Sequence, residues 1–212
     1  MNKKDSQQGS AVVNVLQSDS IVGVGKECLE IGVDAALESG VLKDIPLVNI
    51  LFSMFSAVGI ARDHIFGNKL LRFLSQLSEI SKEERIAMVE KLNEDDKFSG
   101  RVGAAMIEIL DRMESERKPE LAAKCFAAYA RAEISFEELR RVLFAIERVP
   151  SFDIDKLGKF AKMTMNDSVK LNESLLLSFV NAGFGKNNGG FDGGAIVPTN
   201  LCQLFVRVGL AS

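Results

Sequence analysis

The run from Ile45 to Leu77, IPLVNILFSMFSAVGIARDHIFGNKLLRFLSQL, limits what this chain can fold into more than any other stretch. Only Arg62, Asp63, His64, Lys69 and Arg72 interrupt it with charge or a titratable ring. It is too apolar to stay in water alone. Its uncharged part, 45–61, read as one helix at 1.5 Å per residue, is about 25 Å long, short of the roughly 30 Å hydrocarbon core of a bilayer. Asp44 and Pro46 suit the start of that helix, a polar cap followed by a proline whose missing N–H costs nothing in the first turn. Asn49, Ser53 and Ser56 draw a thin polar stripe along it. A buried central helix of a bundle can carry such a stripe, and so can a membrane-inserting helix that oligomerises. The buried helix is the favoured reading. Leu47, Asn49, Ile50, Phe52, Ser53, Phe55 and Ser56 are the residues through which it would meet a partner or lipid.

The amphipathic segments after Leu77 can cover this run. An apolar fraction of 47% with 26% charged residues is that of a folded globular chain, and a net charge of −3 gives no overall case for nucleic acid. Trp is absent, Tyr occurs once and Pro four times, while Ala, Leu, Glu and Lys are plentiful; this favours helix over strand. Cys28, Cys125 and Cys202 are far apart and odd in number, which fits a reducing cytoplasm and no disulfide framework. Met1 to Ser20 lacks the continuous apolar core of a signal peptide and is expected to be a flexible tail over 1–19.

Ser20 is a candidate N-cap for a helix of about five turns with an apolar face of Ile21, Val24, Cys28, Ile31 and Leu37, closed by Gly40. Ser81 with Glu84, and Ser135 with Glu138, spell capping boxes ahead of amphipathic helices. Between them Phe98 to Met113 keeps a four-three apolar pattern, and Pro119 opens a helix through Cys125 and Tyr129. Links this short make neighbouring helices antiparallel, so a bundle is expected over 20–150.

Beyond Pro150 the character changes. Helices are expected near Ile154 to Met163 and from an Asn172 cap to Gly183. A glycine-rich hairpin comes next over 183–197, then a last helix capped by Thr199. Helix, hairpin and helix suggest a small winged-helix-like module over 151–212, with the hairpin as wing and Lys186 as its one cation. Six Lys or Arg against five Asp or Glu in this segment leave no dense basic face, so packing or protein interaction is the favoured use and nucleic-acid binding a weaker alternative.

No catalytic motif stands out. Asp34, Glu38 and Asp44 could be site carboxylates but have no His or Cys beside them. His64 is the sole histidine, expected at a turn, and its neighbour Asp63 does not face it on a helix. Glu116-Arg117-Lys118 has the spacing of a nuclease motif that belongs on a strand, not at a helix junction. The glycine stretch has neither a Lys-Ser or Lys-Thr pair nor a preceding strand, so it is neither a phosphate loop nor a dinucleotide fingerprint.

The order GVDAALESGVLKDIPLVNIL, GIARDHIFGNKLLRFLSQL, AAKCFAAYARAEISFEELRRVLFAIERV and the ending LLLSFVNAGFG…LCQLFVRVGL resembles a group of small uncharacterised bacterial proteins, some of them related to abortive-infection alpha proteins. The likeness covers roughly residues 20 to 212. It implies a bacterial cytoplasmic protein linked to phage defence and carries over no functional residue.

The expectation is therefore a mainly α protein without cofactor or metal and without enzymatic activity, acting through helix-mediated association with a protein partner or a second copy. The alternative is a membrane-active effector that releases the 45–61 helix into a bilayer, peripheral to the inner membrane.

Overall fold

The computed structural model describes residues 3–45, 47–56, 61–94, 98, 100–189 and 194–210. The protein is mainly helical, with one small two-stranded sheet among the described residues. It divides into two compact units, Met1–Glu133 and Ile134–Ser212.

The first unit holds α1 (Lys3–Leu16), α2 (Ser20–Ile31), α3 (Val33–Ser39), a 3-10 turn (Val41–Asp44), α4 (Val48–Ser56), α5 (Ala61–Leu77), α6 (Lys82–Asn93), α7 (Val102–Arg112) and α8 (Arg117–Ala130). The expected flexible tail is instead helix α1. Ala11, Val12, Val15 and Leu16 recur at helical spacing and are buried. Glycines let α1 and α7 meet backbone to backbone: a Cβ on Gly103 would lie 1.9 Å from the Gly9 carbonyl oxygen.

The long helix expected from Ser20 is two helices, because Gly32 adopts φ 82° and ψ 157° between them. Its cap also shifts. Asp19 occupies the N-cap position without a side-chain cap, while the Ser20 N–H donates to Ser18 Oγ at 3.2 Å. Gly40 closes α3 in the left-handed region, as its position suggested.

The 45–61 helix is shorter than expected. Its described part is α4, nine residues entered through Leu47 at φ 64°, and Pro46 and 57–60 lie outside the described residues. Nor is α4 the central helix. Val48 and Leu51 are buried, but Asn49, Ile50 and Ser53 are exposed. The centre of the unit is the packing of α5 on α8. Leu70, Leu71, Phe73, Leu74 and Leu77 are buried on α5, and Phe73 meets Phe126 edge to face at 5.6 Å. On α8 every residue from Leu121 to Ala130 except Lys124 is buried, which its alanines permit by letting neighbours approach on all sides.

Arg85 of α6 is 1% exposed. Its Nε donates to Leu16 O at 2.7 Å and Nη2 to Ser18 O at 3.1 Å, while Nη1 donates to Ile80 O. One guanidinium thus satisfies carbonyls left over at the end of α1 and in the α5–α6 connection.

The second unit holds α9 (Phe136–Arg148), a 3-10 turn (Ser151–Asp153), α10 (Ile154–Phe160), α11 (Met165–Ser168), α12 (Glu173–Ala182), β1 (Gly185–Asn187), β2 (Ile196–Pro198) and α13 (Asn200–Phe205), which widens into a π turn over Val206–Leu210. The strands are antiparallel, with Lys186 opposite Val197, so the expected hairpin is present; 190–193 at its tip lie outside the described residues. The division between units falls before α9, not after Pro150. The buried face of α9, Leu139, Val142, Leu143 and Ile146, belongs with α12 and α13. Phe160 with Phe179 (4.8 Å) and Phe184 with Phe205 (5.1 Å) fill the rest of this core.

Both capping boxes form as spelled. Ser81 Oγ accepts from the Glu84 N–H and Ser135 Oγ from the Glu138 N–H, and each Glu carboxylate accepts the reciprocal backbone bond at 2.7 Å. Thr164 and Asp167 form a third box at α11, a helix the sequence did not announce. Asn172 and Thr199 cap α12 and α13. The backbone bonds hold the Glu84 and Glu138 carboxyls below their ordinary 4.5. A carboxyl depressed in the folded state adds stability above its unfolded value, and that stability is lost as pH falls through the folded value. The urea midpoint should therefore decline as pH drops from about 4.5 downward, and a Glu84→Gln/Glu138→Gln chain should decline less steeply. Parallel curves for the two chains would show that the boxes contribute no such dependence.

Candidate interaction surfaces

Of the residues singled out around α4, four have described side chains. Leu47 is half-buried, Asn49 and Ile50 are exposed, and Ser53 is exposed with its hydroxyl donating to Ile50 O at 2.8 Å. The side chains of Phe52, Phe55 and Ser56 lie outside the described residues. So do those of Asp63 and His64, although His64 sits within helix α5 and not at a turn. Among the described residues no helix is long and apolar enough to cross a membrane.

Asp34 belongs to a polar cluster that the sequence did not reveal. Its Oδ1 accepts from Asn68 Nδ2 at 2.7 Å, and Asn68 Oδ1 accepts from Arg72 Nε at 2.9 Å. Arg72 then donates Nη1 to Glu120 at 2.8 Å and Nη2 to Glu116 at 3.0 Å, with Asp34 3.7 Å away. Burial alone would lower the Arg72 pKa, but Glu120, Glu116 and Asp34 outweigh it and hold it above its usual range. A guanidinium so engaged is a clamp between α3, α5 and α8, not an acid or base. Glu38 and Asp44 are exposed apart from this cluster. In the Glu116-Arg117-Lys118 triplet, Glu116 serves Arg72 while Lys118, 1% exposed, pairs with Glu114. The triplet lies where α8 begins, as a helix junction and not a strand.

The three thiols are buried and free. Burial pushes Cys125 and Cys202 up to about 12 and raises Cys28 as well, so all three stay protonated and unreactive near neutral pH. Among the described residues no group of three or more His, Cys, Asp or Glu is placed to hold a metal ion. An open cavity of about 240 Å³ lies where α1 meets α7, with Ser10, Asn14, Asn93 and Arg101 as the polar side chains of a mixed lining. Its arginine is already paired with Glu108 at 2.7 Å, and Asn93 Oδ1 accepts from the Gly100 N–H.

The second unit presents a different surface. Asp153, 4% exposed, accepts from Lys156 Nζ at 2.8 Å and from Ser178 Oγ at 3.1 Å, which locks the 3-10 turn to α12. Beside these anchored residues Phe152 is 78% exposed and Leu177 48% exposed, and Val169 after α11 is 63% exposed. On α9, Phe144 is 54% exposed with the Arg148 guanidinium 4.2 Å above its ring. Sequence periodicity marked α9 by its buried face alone. The recurrence Phe136, Arg140, Phe144, Arg148 at intervals of four was the available signal for the outer face.

Comparison with family models, curated proteins and solved structures gives no match to this chain.

Proposed function

We propose that this chain is a non-enzymatic interaction protein of the bacterial cytoplasm that docks a protein partner or a second copy of itself, with a role in phage defence. One observation carries the reading: large apolar side chains of the second unit, Phe152, Val169 and Leu177, stand in solvent, and the neighbours of Phe152 and Leu177, Asp153 and Ser178, are joined by a part-buried hydrogen bond. Aromatic and aliphatic anchors held in place before binding lose little entropy on association. The first unit is read as an antiparallel bundle. The second is read as winged-helix-like, with α12 in the place of the recognition helix and β1–β2 as the wing. That helix exposes Glu173, Ser174, Leu177 and Asn181, a carboxylate and no cation, which suits a protein better than a nucleic-acid backbone.

The test is affinity capture with cross-linking from bacterial extract, comparing the wild type with a Phe152→Ser/Leu177→Ser chain. A defined protein, or the chain itself, should be recovered in stoichiometric amount by the wild type and lost by the variant, whose melting temperature should be unchanged. Recovery of the same set by both would refute the reading. So would flotation of the wild type with anionic liposomes that Phe52→Asp abolishes while staying folded, and the membrane-active alternative would then take its place.

A further inference from the structure

We infer that the outer face of α9 is a docking strip for a carboxylate-rich segment of a partner protein. Arg140 and Arg148 stand two helical turns apart, about 12 Å along the axis. Each guanidinium lies over a ring four residues earlier, Arg140 over Phe136 at 5.8 Å and Arg148 over Phe144 at 4.2 Å. Neither meets a carboxylate among the described residues, whereas Arg141 beside them is paired with Glu137 at 2.7 Å.

A ring within about 6 Å of a guanidinium attracts it and restricts its rotamers, so part of the rotamer entropy of an arginine is lost before a ligand arrives. A guanidinium binds a carboxylate in bidentate fashion. Phe144 between the two arginines offers an apolar contact, and arginine with an aromatic ring is the composition of an interface centre. The complementary occupant is a helix with acidic residues at i and i+8 on one face and an aliphatic residue at i+4. A nucleic-acid strand fits less well, because Glu137 shares the face and the unit as a whole carries nine Lys or Arg against eight Asp or Glu.

This inference rests on the interaction-module reading and names the chemistry of a partner, through residues other than Phe152 and Leu177. The test uses the full chain and an amidated alanine-based helical peptide with Glu at i and i+8 and Leu at i+4. Its Gln and Lys counterparts and an oligothymidylate serve as comparisons, all followed by fluorescence anisotropy. The Glu peptide should bind the wild type at least about tenfold tighter than the Gln peptide, and added salt should weaken it. An Arg140→Glu/Arg148→Glu chain should lose the Glu peptide and gain the Lys peptide; that gain also shows that the variant is folded. Equal binding of Glu and Gln peptides, or binding of neither, overturns the inference. Binding of oligothymidylate in place of the Glu peptide overturns it in favour of nucleic acid. The Phe152→Ser/Leu177→Ser chain should keep the Glu peptide, so a failure on α9 and a failure of the capture experiment are read separately.

Discussion

Replacing Arg85 by methionine will destabilise the first unit by about 3 kcal/mol. Methionine fills much of the same space, so the cavity term is small and the loss is that of the hydrogen bonds. Three carbonyls, of Leu16, Ser18 and Ile80, lose their donor at a site that is 1% exposed. Each unsatisfied buried carbonyl costs about 1–3 kcal/mol, and relief of the desolvated guanidinium gives part of that back. Burial already pulls the Arg85 pKa down against the nearby Asp19, Glu83 and Glu84, which shows the direction of that relief. Arg85→Lys should recover only part of the stability, since an ammonium on a flexible stem cannot reach all three carbonyls in the plane of a fork. Urea denaturation followed by amide exchange in α1 and α6 measures both variants. A loss under about 1 kcal/mol for methionine would mean that water takes over the three carbonyls and that Arg85 is not what joins these elements.

Gly103→Ala is expected to lever α1 off α7 at a cost of about 3 kcal/mol. The new methyl would sit 1.9 Å from Gly9 O and 2.6 Å from its carbonyl carbon. These are backbone atoms of another helix, so no side-chain rotation relieves the clash, and the two helices must separate. Ala11, Val12, Val15 and Leu16 would then lose their burial together, which is why a single methyl has so large an effect. Gly158→Ala is the matched control. That glycine lies inside α10 with nothing within 4 Å of its would-be Cβ, so alanine there should stabilise by about 0.5–1 kcal/mol. Exchange protection across α1 decides the matter. If α1 amides in Gly103→Ala are protected as in the wild type, and stability is unchanged, the close crossing is not a requirement of the fold.

Much of the local structure was legible because its causes are local. A serine three residues before a glutamate satisfies helix N–H groups in whatever fold surrounds it, so Ser81–Glu84 and Ser135–Glu138 could be read directly. Asn172, Thr199, Gly40 and the glycine hairpin rest on the same kind of short-range geometry. The candidate surfaces were far less legible. Periodicity identified the buried stripe of α9 and said nothing of Phe144 under Arg148. Asp34 stood out only as a carboxylate with no His or Cys beside it, because its partners Asn68 and Arg72 are more than thirty positions away. Sequence distance hides such pairs: side-chain bonds between remote helices leave no spacing to count.

The sequence by itself determined helical content, the positions of most helix starts and the pairing of one hairpin. Tertiary structure decided which apolar helix became the centre. Hydropathy pointed to 45–61, but α4 keeps one buried side and lies at the surface. The alanine-rich α8, modest in hydropathy, is enclosed almost throughout, because burial depends on how closely neighbours can approach and small side chains allow the closest approach. Tertiary structure likewise made α1 of a stretch that reads as a tail. Its four buried apolar residues are too few to fold a helix alone, and they become sufficient only where Gly9 and Gly103 let a second backbone come within contact.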